Sequence, residues 1–452
     1  MKEVKFDSYV DAEKFLDEVP RFTKKNPLED TKGFYEYIQK VDNGIYAEKN
    51  LGKIIHVAGT NGKGSVCSFM QQICLKSGYK VAMFTSPHLI TTRERFNING
   101  ESIGEKEFLE AYNWLADKIV DYQLINPEYT PTYFERLFFM GIYIFTKADI
   151  DITILETGLG GRLDTTNIIK NPVISIITEI GYDHTEYLGD TIEKIALEKA
   201  GIIKPEIPVV FADRKRETSE IFERISKQCG SLCYPVSKSD YKINENSKKF
   251  IDFSVYSRYY DYGRIIVNTM AIYQVENASI AIKASEVLCE SGVLDKISKD
   301  SIKAGIEKMK WAGRMEEVYP GFFIDGAHNV DGIEAFVDTV NNAFESKNIQ
   351  VFDSDKVFVV FSSVKDKRYD VMIKMLSGLT QVTDFVVTHI PGARGTELDI
   401  LKNEFEKYTN KNIHAIEDIR DAIGYAMDNR GDNGIIYIVG SLYLAGLVKD
   451  II

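Results

Sequence analysis

The sequence has few cysteines, no long apolar run and no excess of basic residues. Its five cysteines include one close pair, Cys229 and Cys233, and no second pair at metal-binding spacing. We therefore expect neither a zinc site nor a disulfide framework, and a reducing, cytoplasmic location. No apolar run approaches the roughly 18 residues of a membrane span, and the charged N-terminal segment is unlike a signal peptide. We expect a protein that does not bind membranes.

The formal net charge of -12 argues against a surface that binds nucleic acid or anionic lipid. Apolar residues make up 44% of the chain and charged residues 27%, as in ordinary globular proteins. With 452 residues the chain is long enough for two or three domains. We find no internal repeat and no low-complexity tract.

Short β-branched runs alternate with segments of helical period along most of the chain. This alternation predicts an α/β fold in which helices cover parallel sheets. The Tyr-rich stretch 249–270 instead alternates apolar and polar residues, which predicts an antiparallel pair forming a small side sheet on the first domain. The predicted parallel strands are 54–58, 80–84, 151–155, 173–178, 208–212, 322–324, 357–361, 385–388 and 435–439.

A domain boundary is predicted near residue 312. A helix predicted at 299–310 ends there, and a new strand starts at 322. We therefore expect one domain at 1–312 and a second at 313–452. The polar segment 341–355 is typical of a surface loop.

Residues 59–65 read GTNGKGS, between the apolar run 54–58 and a helical stretch at 66–77. Glycines let the backbone approach a polyphosphate, the helix N-terminus favours an anion, a lysine neutralises charge and a hydroxyl can bind Mg²⁺. Lys63 would meet the β and γ phosphates, and Ser65 the metal. The spacing departs from GxxxxGK[ST], because Gly64 separates lysine from serine, so a glycine-rich turn without a ligand is the alternative.

Three further predicted strands end in polar residues. TSPHL follows 80–84 and holds Ser86, Glu156 ends the strand before TGLGGRLDTTN, and GYDHT after 173–178 holds Asp183 and His184. Ligands in open α/β sheets collect at the carboxyl ends of strands, and a carboxylate beside a phosphate loop suits Mg²⁺. A single histidine is more often structural than a ligand.

The second domain also carries polar strand ends. FFIDGAHNVDG places Asp325, His328 and Asn329 after a strand, and GSLYLAG follows the strand 435–439. Polar strand ends in both domains predict a cleft between them for nucleotide and a second substrate. The alternative is that DGAHN is only a turn and a helix N-cap. Composition predicts that Lys194 and Lys199, in the helix after GYDHT, are both solvated.

Taken in order, these strings resemble the folylpolyglutamate synthase and dihydrofolate synthase family of the Mur ligase superfamily. The resemblance implies an N-terminal P-loop ATPase domain of the Mur ligase type, with the small side sheet, and a C-terminal Rossmann-like α/β domain. The segments that carry it are GTNGKGS (59–65), TSPHL (85–89), TYFE (132–135), ETGLGGRLDTTN (156–167), DH (183–184), EKAGIIK (198–204), YQVENA (273–278), WAGRME (311–316), DGAHN (325–329) and GSLYLAG (440–446).

The family resemblance implies an ATP-dependent amide ligase. The γ-phosphate of ATP passes to the terminal carboxylate of a folate, and the amino group of L-glutamate attacks the acyl phosphate. A carboxylate needs this activation because it is otherwise unreactive toward amines. The implied partners are ATP, L-glutamate, a folate or pteroate, and Mg²⁺, with no nucleic acid, and we expect a monomer.

The resemblance also implies roles for individual residues. The catalytic positions are Lys63, Lys199, Asp325 and His328, and Lys199 matches a lysine that is carbamylated. The ATP contacts are Gly59, Thr60, Asn61, Gly62, Lys63, Gly64, Ser65, Asn277, Arg314 and Asp325. The magnesium ligands are Ser65, Ser86, Glu156 and His184. Thr132, Tyr133, Phe134, Glu135, Leu163, Asp164 and Thr165 match pteroate-binding stretches, and Asp325, His328 and Ser441 lie near the incoming glutamate.

One position departs from the family pattern, and one segment does not decide which folate precursor is accepted. Ala271 replaces a usual glycine, which costs little if its backbone angle is not left-handed. The segment RFTKKNPLED at 21–30 occupies the place of a loop that contacts dihydropteroate in relatives that accept it. Its sequence leaves open whether this chain accepts dihydropteroate.

Two rival functions remain at this stage. Another Mur-type ligase, acting on a UDP-sugar peptide, would need an N-terminal uridine-binding domain, and about 50 residues before the phosphate loop are too few for one. A P-loop nucleotide-binding module without ligase activity would leave DGAHN and GSLYLAG unexplained.

Overall fold

The computed structural model describes residues 3–21, 27–352, 354–392 and 394–452. Contacts group the chain into two compact units. The first comprises 1–180, 186–238 and 278–306, and the second comprises 181–185, 239–277 and 307–452. No helix of the described chain is both long and apolar enough to cross a bilayer.

Fifteen α-helices lie in the described chain. They are α1 (Tyr9–Glu18), α2 (Pro27–Val41), α3 (Lys63–Lys76), α4 (Glu105–Gln123), α5 (Tyr133–Lys147), α6 (Thr185–Leu188), α7 (Ile192–Ala200), α8 (Arg216–Gln228), α9 (Tyr273–Glu290), α10 (Lys299–Lys308), α11 (Val330–Glu345), α12 (Tyr369–Ser377), α13 (Leu398–Glu406), α14 (Ile419–Asn429) and α15 (Leu442–Ile451).

Seventeen strands lie in the same described ranges. They are β1 (Lys53–Ala58), β2 (Val81–Phe84), β3 (Phe96–Ile98), β4 (Glu101–Ser102), β5 (Ile152–Glu156), β6 (Ile174–Ile177), β7 (Val209–Asp213), β8 (Cys233–Ser237), β9 (Tyr241–Asn246), β10 (Ile251–Val255), β11 (Ile265–Val267), β12 (Glu316–Tyr319), β13 (Phe322–Ile324), β14 (Val357–Phe361), β15 (Asp384–Val387), β16 (Asn412–Ala415) and β17 (Ile435–Val439).

The first unit is built on one sheet with the strand order β4-β3-β2-β5-β1-β6-β7-β8. In this sheet order, the six strands β2, β5, β1, β6, β7 and β8 pair in parallel. At one edge, β3 pairs antiparallel with β2, and β4 pairs antiparallel with β3. Because β2, β5, β1 and β6 are neighbours in the sheet, their carboxyl ends meet at one edge. This order brings the segments after 84, 156, 58 and 177 together.

The second unit contains two sheets. One is six-stranded, with the order β12-β13-β17-β14-β15-β16, and all its pairs are parallel except β12 with β13. The other is the three-stranded antiparallel sheet β11-β10-β9. The antiparallel pair predicted from the Tyr-rich stretch is confirmed as β10 and β11, and β9 is a third strand of the same sheet. We expected this side sheet on the first domain, but its contacts group it with the second unit.

The central strands of the six-stranded sheet are apolar throughout, and those of the eight-stranded sheet are mostly apolar and buried. Strands β14 and β17 have no exposed residue, as expected for parallel strands that helices cover on both faces. The second unit's core joins these strands to α11, α12 and α13. The first unit has an aromatic-rich core around α4 and α5 and a smaller one around β7, α7 and α8.

All nine predicted parallel strands are confirmed to within one residue at either end. Helix α3 begins at Lys63, three residues before the predicted start, because Gly62 caps it. The loop predicted at 341–355 is wrong at its start, since α11 continues to Glu345. Residues 22–26 of RFTKKNPLED lie outside the described residues.

We expect loss of the Glu3 carboxylate to destabilise the first unit. Both side chains of the Glu3–Arg136 pair are 1% exposed, with Arg136 Nη1 donating to Glu3 Oε2 at 2.8 Å. Glu3→Ala leaves a buried guanidinium without its carboxylate, so the free energy of unfolding should fall by about 3–5 kcal/mol in urea titrations. Lys5→Ala, which breaks the exposed Lys5–Asp117 pair, is the matched control and should change it by under about 1 kcal/mol. Equal effects of the two variants would contradict this prediction.

Candidate active site

The turn after β1 is shaped by two glycines that no other residue could replace without strain. Gly59 has φ 151°, and a Cβ on it would overlap Thr178 Oγ1. Gly62 has φ 87° and caps α3. The carbonyl of Glu179, after β6, accepts from Thr60 N at 2.8 Å, and Thr178 Oγ1 donates to Asn61 O at 2.6 Å. The turn is thus held in place by the end of β6, with the α3 N-terminus following it.

Lys63, the first residue of α3, folds back over this turn. Its Nζ donates to Gly59 O at 3.1 Å and to Thr60 O at 3.2 Å, and lies 4.0 Å from Glu156 Oε1. The side chain is 17% exposed, so the ammonium stays open to an incoming anion. Together with the α3 N-terminus, it makes this turn a cationic site suited to phosphate.

The predicted magnesium ligands of the first unit have the chemistry that Mg²⁺ requires. Ser65 Oγ is buried and has no hydrogen-bond partner within the described chain, and Glu156 is 3% exposed at the end of β5. Ser86 N donates to Glu156 Oε2 at 2.9 Å, which brings Ser86 to the same carboxylate. Within the described residues, no group of three or more His, Cys, Asp or Glu is arranged so that it could hold a metal ion. One carboxylate with hydroxyls fits Mg²⁺, which keeps waters and takes phosphate oxygens.

Lys199 is buried, which corrects the composition-based expectation that it is solvated. It is 4% exposed on the last turn of α7, and its Nζ donates to Gly59 O at 2.7 Å. Lys194, on the same helix, is exposed and pairs with Asp190, as composition predicted. The structure therefore brings Lys199 to the phosphate loop.

The first pteroate-binding stretch lies at the start of α5. Thr132 and Glu135 form a reciprocal capping box, and Glu135 Oε1 also accepts from Thr31 Oγ1 at 2.5 Å. This arrangement fixes the helix start. The guanidinium groups of Arg21 and Arg95 lie 5.5 and 5.4 Å from the ring centroid of Tyr133.

The ring of Phe134 packs against Gly158, and the next residue, Leu159, donates its N–H to Asp164 of the second pteroate-binding stretch. A Cβ on Gly158 would come within 2.6 Å of that ring, so only glycine permits this approach. The two stretches named by the resemblance are therefore neighbours in the first unit.

The second stretch, at 163–165, is shaped by Asp164. Its Oδ2 accepts from Leu159 N at 2.8 Å, and its Oδ1 accepts from Thr166 N at 2.9 Å. Burial raises the pKa of Asp164, although these donors oppose the rise. Leu163 is 40% exposed at the tip, whereas Thr165 is buried. Asp164 thus forms the turn that presents Leu163.

In the second unit, Asp325 ends up buried at the start of the DGAHN segment. Its carboxylate accepts from Tyr273 Oη at 2.7 Å, Met315 N at 2.9 Å and Ala327 N at 2.8 Å. Burial raises the pKa of Asp325, and the charge of Arg314 opposes the rise. Arg314 itself donates to Gly313 O at 3.1 Å.

Two other predicted positions in this unit serve as local structural anchors. Asn277 Nδ2 donates to Gln274 Oε1 at 2.9 Å on α9. Ser441 is the N-cap of α15, with its Oγ accepting from Tyr443 N at 3.1 Å. Ala271 has no positive φ, so its replacement of glycine carries no backbone strain.

Asp183 gathers four polar side chains in the second unit. Asn329 Nδ2 donates to Asp183 Oδ2 at 3.2 Å, His328 Nε2 lies 3.7 Å from that oxygen, and His184 Nε2 lies 3.9 Å from Oδ1. Lys367 forms a close ion pair with the same carboxylate. Burial alone would raise the pKa of Asp183, but the imidazole and ammonium groups outweigh it and lower that pKa well below its ordinary value.

The reading of DGAHN as a helix N-cap is correct for one of its residues. Asn329 Oδ1 accepts from Gly332 N at 2.8 Å and so caps α11. His328 is held separately, with its Nδ1 2.8 Å from Gly326 O. The segment therefore both starts a helix and presents a carboxylate and an imidazole.

Sequence reasoning missed two residues of these networks. Lys367 follows β14 within SSVKDKRYD, and inspection of that strand's polar carboxyl end would have found it. Tyr273 lies in the YQVENA segment, but the sequence analysis assigned it no role. No local sequence pattern predicts that its hydroxyl donates to Asp325. The predicted ligand His184 belongs to 181–185, which group with the second unit, whereas Ser65, Ser86 and Glu156 belong to the first.

Comparison with known proteins points to one family. Residues 126–285 match the family described as Mur ligase middle domain, and 313–442 match the Mur ligase glutamate ligase domain. The dihydrofolate synthase/folylpolyglutamate synthase of Bacillus subtilis (strain 168) is 34% identical over 409 residues, which cover 89% of this chain and 91% of that protein.

Solved structures of folylpolyglutamate synthases share the fold. The enzyme from Thermotoga maritima matches with a TM-score of 0.78 and 27% identity, over 98% of this chain and 96% of that one. The Mycobacterium tuberculosis folylpolyglutamate synthase complexed with ADP matches with a TM-score of 0.82 and 26% identity, over 98% of each chain. These matches confirm the predicted fold class. The phosphate loop, the buried Lys199 and the near full-length likeness agree, and the chain belongs to the folylpolyglutamate synthase and dihydrofolate synthase family of the Mur ligase superfamily.

Proposed function

We propose that this protein is an ATP-dependent ligase that adds L-glutamate to the γ-carboxylate of tetrahydrofolates. The observation that carries the proposal is the phosphate loop, where Lys63 lies beside Glu156 and the buried Lys199 contacts Gly59. Family membership supplies the reaction class. The named activity of the Bacillus subtilis relative and the ADP in the Mycobacterium tuberculosis complex support the same substrates.

The reaction consists of two displacements. An oxygen of the folate γ-carboxylate attacks the γ-phosphorus of ATP, and the bond to ADP breaks. The amino nitrogen of glutamate then attacks the acyl carbon, a C–N bond forms, the C–O bond to phosphate breaks, and the nitrogen loses a proton. The products are ADP, phosphate and a folate longer by one γ-linked glutamate.

The chain's own residues bind and orient the transferring group. The glycine turn and the α3 N-terminus hold phosphate oxygens, and Lys63 balances the charge that develops on the γ-phosphoryl group. Ser65, Ser86 and Glu156, with His184, are the proposed Mg²⁺ ligands, and the ion would neutralise the β and γ phosphate charges. Lys199 is proposed to carry a carbamate, which would turn a buried cation into an anion near the metal ligands.

The remaining assignments are proposals that rest on the resemblance. Residues 1–312 would bind ATP and folate, and 313–452 would carry out the glutamate-ligase role. Asn277, Arg314 and Asp325 would contact ATP, and His328 and Ser441 would act near the incoming glutamate. The networks around Asp325 and Asp183 support ordered side chains at these positions.

Dihydropteroate is a second candidate acceptor. The observation that favours it is the 34% identity to a relative named for both synthase activities. A ligase that accepts it would convert dihydropteroate to dihydrofolate by the same two displacements.

The test is ADP release by the purified protein with Mg-ATP and L-glutamate. Tetrahydrofolate is offered in one assay and dihydropteroate in another, with mass spectrometry to detect one added glutamyl residue. We expect turnover with tetrahydrofolate, and D-glutamate in place of L-glutamate should give none. Turnover with both acceptors would show a bifunctional enzyme. Turnover with neither would overturn the proposal and favour another Mur-type acceptor, and ADP release independent of glutamate would favour a nucleotide-binding module.

A further inference from the structure

Two loops of the first unit touch backbone to backbone beside the site. One is the stretch 158–167 that carries Leu163 and Asp164, and the other is the last turn of α7 with the residues after it. A Cβ on Gly161 would lie 2.8 Å from the carbonyl oxygens of Glu198 and Lys199, and a Cβ on Gly201 would overlap Arg162 Cα. Glycine at both positions is what permits this approach.

The side chain of Asn167 joins the two loops. Its Nδ2 donates to Arg162 O at 3.0 Å and to Gly201 O at 3.1 Å, one carbonyl on each side. Its Oδ1 accepts from Lys204 Nζ at 2.7 Å. Both ends of this amide are therefore used, and only an amide can donate twice at one end while accepting at the other.

The Lys204 ammonium makes this contact in a largely buried position, where its charged form is disfavoured. Burial lowers the pKa of Lys204 to about 8, and the group it meets here is a neutral amide rather than a carboxylate. The ion pair between Arg162 and Glu198 crosses the same boundary, but the Arg162 side chain is 57% exposed. Exposed pairs contribute little. A backbone hydrogen bond from Arg162 N to Glu198 O at 2.6 Å also joins the two segments, and Asn167 adds the side-chain contacts to Gly201 and Lys204.

Each joined loop leads to a different part of the site. The Asp164 carboxylate shapes the turn that presents Leu163 through hydrogen bonds that do not involve the Asn167 side chain. The α7 end carries Lys199, whose Nζ reaches Gly59 O. The contacts of Asn167, together with the backbone bond from Arg162 N to Glu198 O, therefore set the distance between the acceptor-binding stretch and Lys199.

We propose that Asn167 is a positioning residue that docks the folate-binding stretch 163–165 onto the helix end that holds Lys199. This proposal rests on the proposed ligase function. Loss of the docking should weaken folate binding and shift Lys199. ATP binding should change little, because the phosphate loop is held by Thr178 and Glu179 instead.

The decisive variant is Asn167→Asp. It keeps an acceptor for Lys204 but turns an oxygen toward the carbonyls of Arg162 and Gly201. We expect KM for tetrahydrofolate to rise about tenfold and kcat to fall about fivefold, with KM for ATP within twofold, as two lost hydrogen bonds would cause. Lys204→Met, which leaves both donated bonds in place, should raise KM for tetrahydrofolate only about threefold. Lys194→Ala, an exposed lysine on α7, should leave all three constants within twofold.

Hydrogen exchange gives a readout that does not depend on turnover. Asn167→Asp should speed amide exchange in 158–167 and leave 59–65 unchanged. If Asn167→Asp left both the KM for tetrahydrofolate and the amide exchange unchanged, the proposal would be overturned. The proposed ligase function would still stand, because the wild-type protein would remain active. A parallel rise in both KM values with faster exchange throughout the unit would overturn it too, because that is the effect of a merely structural residue. A wild type that neither binds nor extends folates would remove the ligase function and this proposal together.

Discussion

Lys63→Ala is expected to lower ligase turnover by about a thousandfold or more. The reason is the position of the ammonium over the glycine turn, 3.1 Å from Gly59 O and 4.0 Å from the Glu156 carboxylate. Charge develops on the γ-phosphoryl oxygens during transfer, and a preorganised cation in a half-buried site stabilises that charge more than water does. Removal of the ammonium also leaves the Glu156 carboxylate to repel phosphate.

Steady-state kinetics with tetrahydrofolate and L-glutamate measure this effect. Most of the loss should appear in kcat, because the interaction strengthens as the phosphoryl group is transferred. Lys76→Ala, an exposed lysine at the other end of α3, is the matched control and should keep wild-type kcat. Full turnover by Lys63→Ala would show that the 59–65 turn does not hold the transferring phosphate.

Lys199→Ala is expected to lower kcat about a hundredfold and to recover part of the loss when a short carboxylic acid is added. The Lys199 side chain is 4% exposed beside the glycine turn, where a carbamate would place a negative charge. A carbamate replaces the cation by a carboxylate but keeps one N–H. That N–H can still donate to Gly59 O, which lies 2.7 Å from Nζ.

The assay compares kcat of the variant with and without acetate or propionate. A small carboxylate can occupy the space of the missing side chain and supply the anion beside Gly59. Lys194→Ala, on the exposed face of the same helix, should neither lose activity nor respond to the added acid. Wild-type kcat in Lys199→Ala would refute the carbamate hypothesis. A defect that no added carboxylate relieves would indicate that the unmodified lysine acts itself, for example through its hydrogen bond to Gly59 O.

Much of the fold followed from local patterns. Strands such as β14 and β17 are apolar throughout, so each is recognisable as a buried strand. The alternation of such strands with helical segments predicted that they pair in parallel. The strands that sequence reasoning missed are short or partly exposed. Strand β12 alternates intermediate and exposed residues, and β16 is exposed at both ends, so neither has the apolar run of a buried strand.

The candidate site was predictable in part for the same reason. Residues at strand ends, such as Glu156 and Asp325, could be found because parallel strands place their carboxyl ends at one edge. Lys199 could not be found from composition, since a lysine five residues from another lysine is typical of a solvated helix. Its burial arises because Gly161 and Gly201 let a loop close over the end of α7.

The sequence by itself determined which residues could do the chemistry: a glycine turn with Lys63, carboxylates and imidazoles at strand ends, and an order of motifs that resembles one family. The tertiary structure alone decided which of them meet. The sheet order β2-β5-β1-β6 brings Ser86, Glu156 and the phosphate loop together, although they are far apart in the chain. Sequence periodicity specifies a strand's faces but not its neighbours, because neighbours are chosen by packing between elements that no local pattern encodes.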